Sequence, residues 1–385
     1  MRLSCSVFAL SVLAGCTGEG SDVDVLGLPV LGNGSGDVAA MLEVMGTSAD
    51  GLNETTDLAM NPSVPGELWT VNKADDSVVI FANVGTADET SEHIVDPYAL
   101  HFMEKVTSIA FGAPGTFATC QDGRNTYNGA SPGNDFTGPT LWSSDPNVFG
   151  VTNPQATDQL GFDLGSHLDM LHESPQCMGI AWDVDNVYWV FDGLNGDIVR
   201  YDFQNDHGAG YDDHCDGIIE RWTNTGIARQ NNVVSHLVLD HDSGLLYIAD
   251  SANGRIAVLD TSTGSRGGDL ASVEDQSCIV GYGYQSGPEH YEWDGGVVTT
   301  LVDGLLEPAG LELVNGTLFV TENGTGFVRA YSLDGTELDA ASTGRAPGSL
   351  QGLYASSDSE LWIVDGTADE VLHLTASTAV AREAR

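Results

Sequence analysis

One phrase recurs five times along the chain. A short apolar strand ends in Asp, Asn or Glu, and a second apolar strand begins six residues later. The five copies begin at Leu68, Tyr188, Leu246, Leu318 and Leu361. Turn-forming residues separate the two strands of each copy, as in the SANGR segment after Asp250. Repetition of this kind predicts a series of antiparallel β-meanders that stack into one repeat architecture.

Each copy belongs to a four-stranded unit, which is the size of a propeller blade. Another apolar strand precedes most copies, and a more polar fourth strand follows, as at residues 218–222. A divergent sixth unit lies at Ile109 and Phe117, which makes six blades. We therefore predict an all-β, six-bladed β-propeller over residues 37–378, followed by a tail at 379–385. Its last blade lacks a fourth strand, and the segment at 38–44 is expected to supply it and hide the open edge. A two-sheet sandwich is the alternative.

The segment Asp250-Ser-Ala-Asn-Gly-Arg-Ile256, which joins a second strand to a third, resembles the repeats of NHL-type propellers. The resemblance extends over about residues 50–376. It implies a six-bladed fold and says almost nothing about activity.

The N-terminus has the features of an export signal. Met1-Arg2 is followed by an apolar stretch and then by Leu13-Ala-Gly-Cys16, which resembles a bacterial lipobox. The resemblance implies a signal peptide at 1–15, lipidation of Cys16 and a flexible tether at 16–36. Thr17, where an Asp would imply retention at the inner membrane, favours the outer membrane or cell surface. An ordinary signal peptide is the alternative.

Export would place the chain in an oxidising compartment, where disulfides form. Apart from Cys5 and Cys16, the chain has four cysteines, and two disulfides would use them all. Cys120 ends a second strand and Cys177 begins the next inner strand, so both lie on the face that we call the top. Cys215 and Cys278 lie in loops between third and fourth strands of neighbouring blades, on the bottom face. The topology predicts the pairs Cys120–Cys177 and Cys215–Cys278.

The formal net charge is −43. A surface this acidic repels nucleic acid and anionic headgroups, so we expect no nucleic-acid partner. The acidity suits solubility at high salt, and it is also compatible with accumulation of cations.

A histidine phrase is duplicated. Seven residues separate His101 from Ile109 and His172 from Ile180, two positions in predicted inner strands, and His236 enters the next blade's inner strand. Three imidazoles at the top of the tunnel could bind zinc or another transition metal, with Asp169 as a further ligand or orienting group. Arg124 could then orient an anionic substrate. Alternatively, these histidines cap loops or line a water-filled tunnel.

Two related propeller families give different expectations. The amidating lyases carry Pro-His before the inner strand in three blades, and this chain lacks that motif, so their activity is not carried over. Gluconolactonase-like propellers bind calcium through tunnel carboxylates and amides, which keeps a metal-assisted hydrolase open. The equivalent second-strand ends here are Asn72, Asp122, Asp192, Asp250, Glu322 and Asp365. The alternative is that these side chains cap turns.

The segment Asp212-Asp-His-Cys-Asp-Gly-Ile-Ile-Glu220 partly fits a calcium-binding loop. Asp212, Asp213, Asp216 and Glu220 are the candidate calcium ligands. A transition metal bound by His207, His214 and His241, or a polar loop held only by its disulfide, are the alternatives.

The sequence thus favours a membrane-anchored, extracytoplasmic lipoprotein that serves as a binding or scaffold module, with an unknown ligand or protein partner and a bound metal as an option. A metal-dependent hydrolase or lyase acting at the tunnel mouth is the alternative, and the sequence does not decide whether the chain is an enzyme.

Overall fold

The computed structural model describes residues 27–124, 136–156, 163–211 and 213–376. The predicted signal peptide, Cys16, Asp212 and the predicted tail lie outside the described residues. Six sheets are arranged as the blades of a β-propeller, which confirms the predicted fold class.

The first half of the chain forms blades 1 to 3. Its strands are β1 (Leu42–Gly46), β2 (Thr55–Met60), β3 (Leu68–Asn72), β4 (Ser77–Ala82), β5 (Thr90–Val95), β6 (Val106–Phe111), β7 (Thr116–Gln121), β8 (Thr140–Ser143), β9 (Asp169–Met170), β10 (Cys177–Trp182), β11 (Val187–Asp192), β12 (Asp197–Asp202) and β13 (Ile218–Trp222). Blade 1 is β2–β5, blade 2 is β6–β9, and blade 3 is built on β10–β13.

The second half forms blades 4 to 6. Its strands are β14 (Leu237–Asp240), β15 (Leu245–Asp250), β16 (Arg255–Asp260), β17 (Ser265–Asp269), β18 (Glu289–Asp294), β19 (Val297–Asp303), β20 (Pro308–Val314), β21 (Thr317–Glu322), β22 (Phe327–Ser332), β23 (Glu337–Ser342), β24 (Leu350–Ser357), β25 (Glu360–Asp365) and β26 (Glu370–Thr375). Blade 4 is β14–β16 with β19, blade 5 is β20–β23, and blade 6 is β24–β26 with β1.

The described helices are short. They are two 3₁₀ turns (Pro29–Leu31 and Ser48–Asp50), α1 (Ala99–Phe102), α2 (Asp275–Ser277) and a π-helical turn (Cys278–Tyr282). Within the described residues, no helix has the length and apolar character needed to cross a membrane.

The N-terminal strand closes the ring, as predicted, although it lies slightly later in the sequence. Strand β1 pairs antiparallel with β26, with Leu42 opposite Leu374. Val38 is not part of that strand, because its N–H donates to the Ser342 carbonyl of blade 5 at 2.9 Å. The chain start therefore joins blades 5 and 6 before it completes the sixth sheet.

One feature of the fold was not predicted. The hairpin β17–β18 is inserted between β16 and β19 of blade 4, but it extends the sheet of blade 3. Strand β18 pairs parallel to β13, with Ile218 opposite Glu289. The disulfide Cys215–Cys278 links the same insertion to the β12–β13 loop, and Cys120–Cys177 links blades 2 and 3. Both predicted cysteine pairs are therefore present.

The core consists of separate apolar clusters, each between two adjacent blades. Between blades 1 and 2, for example, Trp69 is fully buried and packs edge-on against Phe117 with ring centroids 4.9 Å apart. This arrangement follows from the period-2 pattern of the strands, because each blade buries both faces against its neighbours. The inner strands are left to line a central tunnel.

Candidate functional site

The central tunnel contains a cavity of about 390 Å³ that all six inner strands line. Its wall is formed by the later residues of these strands, so the cavity lies toward the bottom face, where inner strands end. Apolar and aromatic side chains form most of this wall: Met60, Phe111, Trp182, Leu239, Leu313 and Tyr354. An apolar concave cavity with a few polar groups is the usual form of a small-molecule site.

Glu312, in the middle of inner strand β20, is the carboxyl group that the tunnel leaves most weakly satisfied. It is half-buried and accepts a hydrogen bond from the Leu313 N–H at 3.2 Å. Burial raises the pKa of Glu312 to about 8, and the negative charge of Asp57 raises it further in the same direction. At neutral pH this carboxyl group is therefore mostly protonated and can donate a hydrogen bond into the cavity.

Asp57 and His236 form a second polar group in the tunnel. The His236 Nε2 lies 3.0 Å from Asp57 Oδ1. The Asp57 carboxylate also accepts hydrogen bonds from the Leu58 N–H at 2.7 Å and the Ile109 N–H at 2.9 Å. Asp57 thus joins inner strands of blades 1 and 2 and lies beside the His236 ring, and both side chains are buried.

A plug loop (residues 228–234) covers the top of the tunnel. It leads into β14, yet its hydrogen bonds reach blades on the far side of the ring. The Gln351 side chain of blade 6 donates to the Asn232 carbonyl at 2.9 Å and accepts from the Val234 N–H at 3.1 Å. Gln230 donates to Glu307, before blade 5, at 3.0 Å.

Charged contacts hold the other side of the plug loop. Asp122, at the top of blade 2, pairs with Arg229 of the loop at 2.9 Å and with Lys73 of blade 1 at 2.7 Å. Lys73 also donates to the Asn232 side chain at 3.1 Å. The top mouth, where the sequence analysis placed the working site, is therefore covered, and the cavity lies at the opposite end.

The structure brings two of the three predicted histidines together and not the third. The rings of His101 and His172 lie 6.3 Å apart, with Phe136 stacked on His172 at 3.8 Å. Both precede their inner strands by five residues, whereas His236 precedes β14 by one. His236 is therefore at the tunnel wall, and the other two lie among the outer loops, where His172 Nε2 is 3.0 Å from Glu274. Within the described residues these three imidazoles do not form a three-ligand group.

Asp169 instead meets residues that the sequence analysis named as ligands of a calcium or transition-metal site in the segment around Cys215. Its carboxylate lies 2.7 Å from His214 Nδ1 and 3.7 Å from His207 Nε2, and His207 is 3.0 Å from Asp216. Asp169, His207 and Asp216 place their ligand atoms within 4.8 Å of one another. Strand β9 contains only two residues, which leaves Asp169 beside the β12–β13 loop that carries the other groups. We call this set the outer cluster.

Electrostatics in the outer cluster follow from these contacts. Burial raises the pKa of Asp169 to about 6, against the lowering effect of the His214 hydrogen bond. The hydrogen bond to Asp216 raises the pKa of His207 above its usual value. Burial alone would raise the pKa of Asp216, but hydrogen bonds from His207 and Asn205 hold it below its usual range.

The proposed calcium ligands do not come together among the described residues. Glu220 accepts hydrogen bonds from Arg200 at 2.8 Å and from the Tyr291 hydroxyl at 2.6 Å. Asp213 lies 3.5 Å from the Tyr284 hydroxyl. Of the described members of the set, only Asp216 is in the outer cluster, and His241 packs against Trp182 beside the tunnel cavity.

Five of the six polar side chains at second-strand ends stabilise turns, whereas the sixth, Asp122, pairs with Lys73 and Arg229. Asp250, for example, accepts a hydrogen bond from the Ala228 N–H and pairs with Arg255 at 2.7 Å. Asp192, Glu322, Asp365 and Asn72 make equivalent hydrogen bonds to nearby backbone or side chains. These contacts match the turn-capping alternative. Arg124 is half-buried and is not among the residues that line the tunnel cavity.

Sequence reasoning missed Glu312, Asp57 and the plug loop. A usable signal exists for Glu312, because a carboxyl group between Leu311 and Leu313 interrupts an otherwise apolar stretch of an inner strand. No comparable signal marks the plug loop, whose partners lie on four other blades.

No protein-family model matches the chain, and no curated protein matches it in sequence. Solved structures resemble it at low identity. A protein of unknown function from Bacteroides thetaiotaomicron superposes with a TM-score of 0.51 and 9% identity, over 87% of this chain and 75% of that one. An auxiliary nutrient binding protein from the same species gives 0.49 and 11%, over 83% and 68%. Virginiamycin B lyase from Staphylococcus aureus gives 0.47 and 12%, over 87% and 98%. Likeness at such identities concerns the fold alone, and the chain is a six-bladed β-propeller.

Proposed function

We propose that this chain is an exported binding protein whose ligand enters the central tunnel from the bottom face. The observation that carries the proposal is Glu312, a weakly hydrogen-bonded carboxyl group inside a largely apolar cavity of about 390 Å³. The plug loop supports the same view, because it covers the other end and makes the tunnel a pocket with one mouth. A carboxyl group with a strongly raised pKa in such a pocket is a candidate for a functional group.

The lining favours a small organic amine. Phe111, Trp182 and Tyr354 offer aromatic surface to an apolar body, and aromatic faces also attract cations. Glu312 can lose its proton when an ammonium group binds beside it, because an opposite charge favours the ionised carboxylate. A net charge of −43 raises the local concentration of cations around the protein and speeds their approach.

Replacing Glu312 with glutamine should stabilise the free protein and weaken amine binding. The folded state keeps the Glu312 proton up to about pH 8, whereas the unfolded chain releases it near the ordinary value of 4.5. The wild-type group therefore costs stability that grows as the pH rises from 4.5 to 8. After allowance for solvent in the tunnel, we expect Glu312→Gln to gain about 1–3 kcal/mol at pH 8 and nothing at pH 4.5.

Urea denaturation across this pH range measures the first effect, and titration with phenethylamine followed by tryptophan fluorescence measures the second. Glu92→Gln, on the exposed face of β5, is the matched control and should change neither. If Glu312→Gln leaves the phenethylamine affinity unaltered, the Glu312 carboxyl group does not bind the amine, and that part of the proposal is wrong.

We also propose that the protein is held at the outer membrane or cell surface by lipid on Cys16. The two disulfides support export, because such bonds persist in oxidising compartments. Expression of the full chain in bacteria should give a detergent-phase protein that incorporates labelled palmitate, and Cys16→Ser should abolish both properties. Labelling that persists in the Cys16→Ser variant would refute the anchor.

A second candidate function is an enzyme, the hydrolase or lyase alternative of the sequence analysis. The observation that favours it is the Asp57–His236 pair, since a buried carboxylate close to an imidazole is a common arrangement for proton transfer. Recovery of unchanged phenethylamine-type ligands from the wild-type protein supports binding alone. A chemical change that depends on His236 supports the enzyme.

A further inference from the structure

We infer that the outer cluster is a binding site for a divalent transition-metal ion, with Asp169, His207 and Asp216 as its protein ligands. The site is separate from the tunnel. It would join the outer strand of blade 2, which carries Asp169, to the β12–β13 loop of blade 3, which carries the other two.

Asp169 gives the strongest indication. Its side chain is fully buried, and Oδ1 accepts hydrogen bonds from the Met170 N–H at 2.7 Å and from His214 at 2.7 Å. Oδ2 is also buried and makes no hydrogen bond. Oδ2 is the oxygen that faces His207 Nε2, at 3.7 Å. A buried carboxylate oxygen without a donor is costly, and a cation at this point would satisfy it.

The spacing of the three ligand atoms suits one small ion. With bonds of about 2.0–2.2 Å to nitrogen and oxygen, adjacent ligands on a tetrahedral zinc ion lie roughly 3.3 Å apart. The observed separations of 3.0 Å and 3.7 Å bracket that value. The third separation, between the ligand oxygens of Asp169 and Asp216, is within 4.8 Å. Bringing the three atoms onto a common ion therefore needs displacements of roughly an ångström or less.

The protein around the cluster limits the movement of each ligand. His214 and the Met170 N–H fix the Asp169 carboxylate, as hydrogen-bonding partners of metal ligands commonly do. Asp216 directly follows Cys215, whose disulfide to Cys278 anchors the loop. His207 and Asp216 are partly exposed, with 17% and 24% of their side-chain surface accessible, so an ion can enter and keep water on its open side.

The donor set selects the class of metal. One imidazole and two carboxylates suit zinc and neighbouring first-row ions, whereas calcium takes oxygen ligands alone. The site thus uses Asp169 and Asp216, which the sequence analysis had divided between a zinc and a calcium site.

Titration of chelator-treated, tag-free protein with zinc chloride tests the inference. We expect one zinc ion per chain, and at least about 10-fold weaker binding in His207→Ala and in Asp216→Asn. Both residues are partly exposed, so these variants should fold. His93→Ala is the matched control, because His93 also pairs with a carboxylate, Asp75 at 3.2 Å, but has no third ligand beside it in the part of the chain that the structure describes. It should bind zinc like the wild type.

Two further measurements distinguish this site from others. X-ray absorption of the zinc complex should show only nitrogen and oxygen ligands with a single imidazole, and millimolar calcium should not displace the zinc. Glu312→Gln should retain zinc affinity, which separates this site from the tunnel. Unchanged affinity in both His207→Ala and Asp216→Asn, or displacement by calcium, would overturn the assignment.

Discussion

Replacing Arg221 with methionine should lower the free energy of unfolding by about 3–5 kcal/mol. Arg221 is buried in blade 3, and its guanidinium donates to Asp192 at 2.8 Å, to Asp197 at 3.0 Å and to the Glu173 carbonyl. Methionine fills similar space but donates no hydrogen bond. The Asp192 carboxylate, with no accessible side-chain surface, would then lose the charge that compensates it.

Urea denaturation at pH 7.5 measures the loss. The control is Arg266→Met, because Arg266 pairs with Asp269 and Glu289 while 49% of its side chain is exposed, and exposed pairs contribute about 1 kcal/mol or less. Asp192→Asn combined with Arg221→Met should recover part of the loss by removing the unpaired charge. A loss below 1 kcal/mol in Arg221→Met would mean that water enters blade 3 and compensates these carboxylates.

The sequence predicted the scaffold well because the information about it is local and repeated. In each of the five copies, six residues lead from the end of the second strand to the third strand, as from Asp250 to Ile256. This short segment determines the position of the turn between the two strands. Cysteine positions on particular strand ends then sufficed to predict both disulfides. These inferences need only the order of strands within a blade and the direction in which each runs.

The candidate sites were harder to predict because they depend on contacts between distant parts of the chain. Asn232 meets Lys73 across 159 positions, and Asp169 meets His214 across 45. Equal spacing from an inner strand did place His101 and His172 near each other, but it carried no information on how far His236 lies from them. The distances between these side chains depend on the lengths and directions of the loops that carry them. Loop length and direction differ from blade to blade, so the repeat does not predict them.

The hairpin β17–β18 shows the same limit within the fold. Its residues follow β16 of blade 4, so sequence order assigns them to blade 4. The observed pairing with β13 places Trp293 against Trp222, with ring centroids 5.1 Å apart, and brings His290 beside Arg221. The insertion therefore adds His290 to the buried polar group that Arg221 forms with Asp192 and Asp197 in blade 3.

Lowering the pH from 6.5 to 4 should destabilise the protein through His290, by on the order of 3 kcal/mol. Burial lowers the pKa of His290 to about 4, and the positive charge of Arg221 lowers it in the same direction. The neutral ring suits its surroundings, since Nδ1 donates to the Ala271 carbonyl at 2.9 Å and Nε2 accepts from Arg221 at 3.4 Å. A second proton would remove that acceptor and place two positive charges together.

The sign follows from proton binding in the two states. Between pH 6.5 and pH 4 the unfolded chain binds a proton at His290 and the folded protein does not, so acid favours unfolding over this interval. His290→Gln cannot be protonated, so its unfolding free energy should fall less steeply there, while His93→Gln, at an exposed site, should follow the wild type. Urea denaturation at half-unit pH steps measures the difference. Parallel profiles for wild type and His290→Gln would show that the folded protein accommodates the His290 cation beside Arg221.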